Sequence, residues 1–195
     1  MSTKVAVLCE DHTNDRFILE PLVAAALRAI GVPRPRVWSV TNPRMSGFST
    51  LLTNLCAVVT RYHKTVDLVV VAFDLDGEDG LEGRPDKAAR VRRALRECDA
   101  GAVNVVLLGC VMEAEIYAIW GQRSAIPVSW SDARAEPDPK EQFFDGLLRK
   151  EDRLASDGGR TRLMKDSLGS GWGGLSTACP ELQQLTADLR VVLQR

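Results

Sequence analysis

Two aspartates two positions apart, Asp74 and Asp76, stand directly after the apolar run Asp67-Leu-Val-Val-Val-Ala-Phe73. In an extended chain their side chains point the same way, with Leu75 opposite. Carboxylates held that close repel unless a proton or a cation lies between them. A hard divalent cation with oxygen ligands meets that need, and Mg²⁺ commonly takes one or two carboxylates plus waters and phosphate oxygens. Glu10 ends the first apolar run, Lys4-Val-Ala-Val-Leu-Cys9, and Glu113 follows the last clear one, Ala102–Gly109. Acids at such places also cap helices or shape turns, and Asp79-Gly80 reads best as a turn. Glu10 gains weight from the strand-end pair rather than by itself.

The elements that must position these acids alternate. A strand over 4–9 leads to a helix over 17–30, which Gly31-Val32-Pro33 ends, and 36–40 reads as a second strand. After a loop at 41–49, a helix is expected over 50–62, then the strand at 67–73, whose unbroken β-branched character suits a central parallel strand covered on both faces. A basic amphipathic helix over 85–98, a strand over 102–109 and a helix over 112–120 complete the alternation. Strands separated by helices of this length indicate a mainly parallel sheet flanked by helices, in a Rossmann-like α/β fold. In such a sheet ligands collect beyond the carboxyl ends of the strands, where these acids fall. Past Gly121 the pattern weakens: 129–140 reads as loop, 141–154 as helix, 155–160 as a polar break, Gly169–Gly174 as a flexible turn and 180–194 as helix. The division expected is an α/β core over 1–125 with a mostly helical C-terminal extension over 126–195.

With these residues in place, the chain resembles the TOPRIM fold shared by topoisomerases, bacterial primases and the OLD (overcoming lysogenisation defect) nucleases. The matching residues are Glu10 in VAVLCEDHT and Asp74 and Asp76 in VVVAFDLDGED, and GCVMEAEIYAIWG around Glu113 is similar to a further element of small stand-alone TOPRIM-like proteins. The likeness spans roughly residues 4–120; the family's glycine after the first Glu is replaced by Asp11. It implies a Mg²⁺- or Mn²⁺-dependent nuclease. Glu10 would be general base or metal ligand, Asp74 and Asp76 metal ligands, and Glu113 a helper for a second ion. Lys165, in TRLMKDS, is the candidate for a basic group at the scissile phosphate. The resemblance also implies an anti-phage defence setting with a co-encoded ATPase, and leaves a homo-oligomer open.

Charge neither drives nor forbids that reading. The 195 residues are 45% hydrophobic and 26% charged with a net charge of −1, so nucleic-acid binding, DNA before RNA, must rest on a local basic patch or on a bound metal. Arg84, Lys87, Arg90 and Arg93 fall close to one helical face beside the DxD loop and are the candidate phosphate contacts, an ordinary solvated face being the alternative. Two histidines are too few for a histidine metal cage. The five cysteines lie far apart with no CxxC pair, and no signal peptide or membrane span is readable, so free thiols in a reducing cytoplasm are expected. FDLDG also resembles the opening motif of haloacid-dehalogenase phosphatases, which normally sits on the first strand; here Glu78 replaces the usual threonine. A non-catalytic TOPRIM-like binding or scaffold subunit is the remaining alternative.

Overall fold

The computed structural model describes residues 2–75, 84–98 (backbone alone for 84–86) and 104–193. The described strands are β1 (Lys4–Leu8), β2 (Arg36–Ser39), β3 (Leu68–Asp74) and β4 (Val105–Cys110), all parallel in the order β2-β1-β3-β4. Helices α1 (Arg16–Ala29), α2 (Phe48–Tyr62) and α3 (Arg84–Glu97) connect them.

Alternation along the strands sorts the core into two layers. Val5, Val7, Leu68, Val70, Ala72, Val106 and Leu108 face α1, while Ala6, Leu8, Val69, Val71 and Phe73 face α2 and α3. Both faces of the sheet are thus covered, which is why β3 is apolar at every residue up to Asp74. From β1 the chain crosses over α1 outward to β2, and from β3 it crosses over α3 outward to β4. The two crossovers run in opposite directions and use opposite faces, as the preferred right-handed connection requires. Strand order therefore reverses between β1 and β3, and a topological switch point opens beyond their carboxyl ends.

The later helices are α4 (Glu115–Ile119), α5 (Trp130–Ala135), α6 (Lys150–Leu154), α7 (Arg160–Gly169), α8 (Trp172–Ala178) and α9 (Pro180–Leu193). They extend the α1 layer: Leu163, Met164, Leu175, Leu182, Leu185 and Leu189 are buried in the same cluster as Val5 and Val70. Here the sequence expectation is corrected at several points. The single helix expected over 141–154 is instead a wide turn at Lys140–Phe144, a tight turn at Asp145–Leu147 and then α6. Leu148 is extended, Gly146 weakens helix continuity, and Asp152 caps α6 by accepting the Arg149 amide at 2.8 Å. The expected loop at 129–140 contains α5, started by Ser129, whose side chain accepts the Asp132 amide. The glycine-rich turn at 169–174 runs into α8, with Gly173 and Gly174 inside the helix.

The cysteines are also corrected. Cys9, Cys110 and Cys179 are buried free thiols, but Cys56 on α2 and Cys98 beyond α3 are joined by a disulfide across a sequence separation of 42. Spacing could not show this pair, because only the packing of α2 on α3 brings it together. Among the described residues no helix is long and apolar enough to cross a membrane.

Candidate functional site

β1 and β3 are neighbours, so the residues that leave their carboxyl ends meet at the switch point. Asp74 is the last residue of β3, and Glu10 lies two residues beyond β1. The Asp74 amide donates to Glu10 Oε1 at 3.1 Å, which fixes the Glu10 carboxylate against the end of β3. Two further contacts hold this edge. Gly47, the residue before α2, donates its amide to the Glu10 carbonyl at 3.0 Å; its φ of +97° suits glycine. Leu75 continues the ladder by donating to the Cys110 carbonyl at 2.8 Å, and its side chain lies over Gly109, where an added Cβ would sit 2.9 Å from Leu75 Cδ1. The absent side chain at Gly109 thus lets Leu75 pack against β4, away from the Glu10 side. Asp76, the second aspartate of the pair, lies outside the described residues.

Lys87 enters the same edge from α3. Its ammonium donates to the Asp74 carbonyl at 3.0 Å and stands 4.0 Å from Glu10 Oε1, with both side chains only 13–15% exposed. Glu10 therefore has a cation beside it that belongs to the chain itself, a role spacing did not reveal for Lys87. Lys87 and Arg90 also lie over the Phe48 ring at 5.3 and 5.1 Å, and Phe48 packs on Phe73 at 6.0 Å. This ties the first turn of α2 to the cationic face of α3. Arg90 and Arg93 are exposed; the side chain of Arg84 lies outside the described residues.

A second set of acids lies along the same edge. Asp15 accepts the Asp11 amide at 3.1 Å, while Asp11 accepts from the Thr13 amide at 2.9 Å and from Asn14 at 2.8 Å. Burial, and then the negative charges of Glu115, Asp11 and Glu10, push the Asp15 carboxyl up to about 7. Glu113 accepts the Lys140 amide at 3.1 Å, and burial together with Glu115 pushes it up to about 7. Glu113 leaves β4 through Met112, a buried non-glycine residue at φ +60°. Glu115 is 5% exposed and accepts from Arg160 Nε at 3.1 Å and from its Nη2. Cys9 and Cys110 sit close by, but burial raises both thiols, which leaves them poor nucleophiles.

The structure thus brings Glu10, Asp74 and Lys87 together. Glu113 does not join them: among the described residues no group of three or more His, Cys, Asp or Glu side chains gathers where a metal ion could be held. Lys165 is exposed on α7, whose buried face is Leu163, Met164 and Ser167. Asp74 ends the third strand in chain order, unlike the first-strand placement of the haloacid-dehalogenase motif. A groove of about 450 Å³ runs along β4 past Phe73, Ala88, Arg92, Val105 and Asp188, and neither Glu10 nor Asp74 lines it.

Sequence reasoning missed Asp15 and the Glu115–Arg160 pair. For Glu115 a signal existed: one acid inside the apolar stretch Ala114–Ile119 calls for a buried partner.

Compared with known proteins, the chain matches no family model, no curated protein and no solved structure.

Proposed function

We propose that this protein is a metal-dependent phosphodiesterase of TOPRIM type that cuts nucleic acid at the β1–β3 switch point. The observation that carries the reading is the hydrogen bond from the Asp74 backbone amide to the Glu10 carboxylate, which brings two acidic residues from adjacent parallel strands to the place where such sheets hold ligands. A carboxylate at one strand end, an aspartate at the next and an ammonium between them suit Mg²⁺ or Mn²⁺ with a phosphate. Glu10 and Asp74 would hold the ion together with Asp76, which the DLD sequence puts two residues further on. A bound ion supplies charge stabilisation to a phosphoryl oxygen and lowers the pKa of a water.

The chain's own residues do the rest. The Asp74 amide orients Glu10. Lys87 exchanges part of its contact with Glu10 for a phosphate oxygen, and Arg90, with Arg84 and Arg93 on the same helix, contacts neighbouring phosphates. DNA before RNA, a co-encoded ATPase, an anti-phage role and a cytoplasmic setting belong to this proposal through the TOPRIM resemblance alone.

Incubation of the purified protein with DNA and RNA in Mg²⁺ or Mn²⁺ tests the reading. Cleavage is expected, with a loss of roughly a hundredfold or more in Asp74→Asn and in Glu10→Gln. A clean wild-type preparation without metal-dependent cleavage, alone or with a co-encoded ATPase, would refute it. One observation favours a second reading, a non-catalytic binding subunit: Lys87 already offsets the charge of Glu10, so the acids do not demand a metal. Nucleic-acid binding unchanged by chelator, with no cleavage, would select it.

A further inference from the structure

We propose that Cys56 and Cys98 form a thiol–disulfide switch that clamps α3 to α2 and so sets how firmly Lys87 is held beside Glu10 and Asp74, and Arg90 over Phe48. The functional consequence rests on reading that cationic face as the one that meets phosphate. Three observations point to it.

The first is selectivity. Cys9, Cys110 and Cys179 are buried, whereas Cys56 and Cys98 are half-buried and can be reached by a small thiol. Their Cα atoms stand 5.3 Å apart, inside the range a disulfide spans. The second is where α3 is otherwise anchored. Among its described side chains Val91 is fully buried and Ala88, Ala94 and Leu95 partly so, and Lys87 and Arg90 pack over Phe48 toward its N-terminal end, while Arg92, Arg93 and Arg96 are exposed. The disulfide adds a covalent link at its C-terminal end, beyond those contacts. Lys87 and Arg90 ride on that helix, Lys87 about 16 Å from Cys98 at the helical rise. The third is that both sulfurs lie near the Ala94 carbonyl, at 3.0 Å for Cys98 and 3.5 Å for Cys56. A reduced thiol has an acceptor ready, so the helix pair survives in both states while the restraint changes.

The chemistry balances with a small-molecule disulfide such as oxidised glutathione. One cysteine thiolate attacks a sulfur of that disulfide and expels a thiolate, leaving a mixed disulfide. The second cysteine thiolate then displaces the remaining glutathione. Two protein thiols are oxidised to one disulfide, the glutathione disulfide is reduced to two thiols, and the protein's two protons pass to them.

Hydrogen exchange on the full chain, equilibrated in reduced or in oxidised glutathione, tests the clamp without any nucleic acid. Amides of α3 are expected to exchange on the order of tenfold slower in the oxidised protein, with β1 and β3 unchanged. Cys56→Ser should match the reduced protein in both buffers. Equal α3 exchange in the two wild-type states overturns the switch, as does a thiol titration that finds both cysteines free after oxidation. Failure to cleave or bind nucleic acid in either state would remove the phosphate reading and leave the hydrogen-exchange result standing.

Discussion

Replacing Arg160, the first residue of α7, by methionine removes the guanidinium that Glu115 at the start of α4 faces and leaves that carboxylate 5% exposed. Arg160 is itself 7% exposed; its Nη1 also donates to the Asp157 carbonyl at 3.4 Å, and the guanidinium stacks over Phe144 at 5.3 Å. Breaking a buried pair by deleting one partner destabilises by about 3–5 kcal/mol, because the stranded charge loses both water and its counter-ion. Methionine keeps most of the aliphatic packing, so the loss reports charge rather than a cavity. For a chain of this size it corresponds to a drop in Tm on the order of 10 °C. Urea unfolding gives the same quantity as a fall in midpoint at constant slope. The double variant Arg160→Met/Glu115→Leu removes both charges and should lie within about 1 kcal/mol of the wild type. The resulting cycle isolates the coupling between the two residues. A loss below about 1 kcal/mol in Arg160→Met, or a double variant as unstable as the sum of the single ones, would refute the reasoning.

Asp15 makes stability depend on pH in a defined direction. Its folded-state value near 7 stands above the ordinary 3.8, so the native state holds the proton more tightly than the unfolded chain. The contribution is full below about 4, falls as pH rises toward about 7 and is lost beyond. Asn mimics the protonated form, so Asp15→Asn should raise stability at pH 8 by about 2 kcal/mol, solvent reducing the roughly 4 kcal/mol of the whole shift. Denaturant titrations at pH 5 and 8 check this, and an equal effect at both would contradict it. Gly121→Ala tests the packing of the turn after α4: the added Cβ would stand 2.4 Å from the Ser167 nitrogen and 2.6 Å from the Asp166 carbonyl carbon. Backbone cannot swing aside as a side chain can, so a loss of about 3 kcal/mol is expected in thermal unfolding; a variant as stable as the wild type would show that α7 moves freely there.

How much of this was legible in the chain depends on the range of the forces involved. The sequence by itself determined the strands and their parallel class. The apolar runs at 4–8 and 68–73 have one stable use, as strands covered on both faces, and Glu10 and Asp74 end them where burial stops. Even their meeting at the sheet's edge could be expected. The tertiary structure alone decided what stands beside them. Lys87 reads as one more cation on a basic helix until α3 folds across β3 and sets its ammonium against Glu10. Glu115 and Arg160 are 45 residues apart, and the disulfide joins helices whose cysteines carry no spacing signal. The 141–154 segment broke for a local reason that periodicity does not weigh: Gly146 weakens helix continuity, Leu148 turns extended, and Asp152 starts a new helix by accepting the Arg149 amide. Periodicity reports the faces a segment must bury. Contacts between distant charges and sulfurs depend on how the layers are stacked, and no local pattern encodes that.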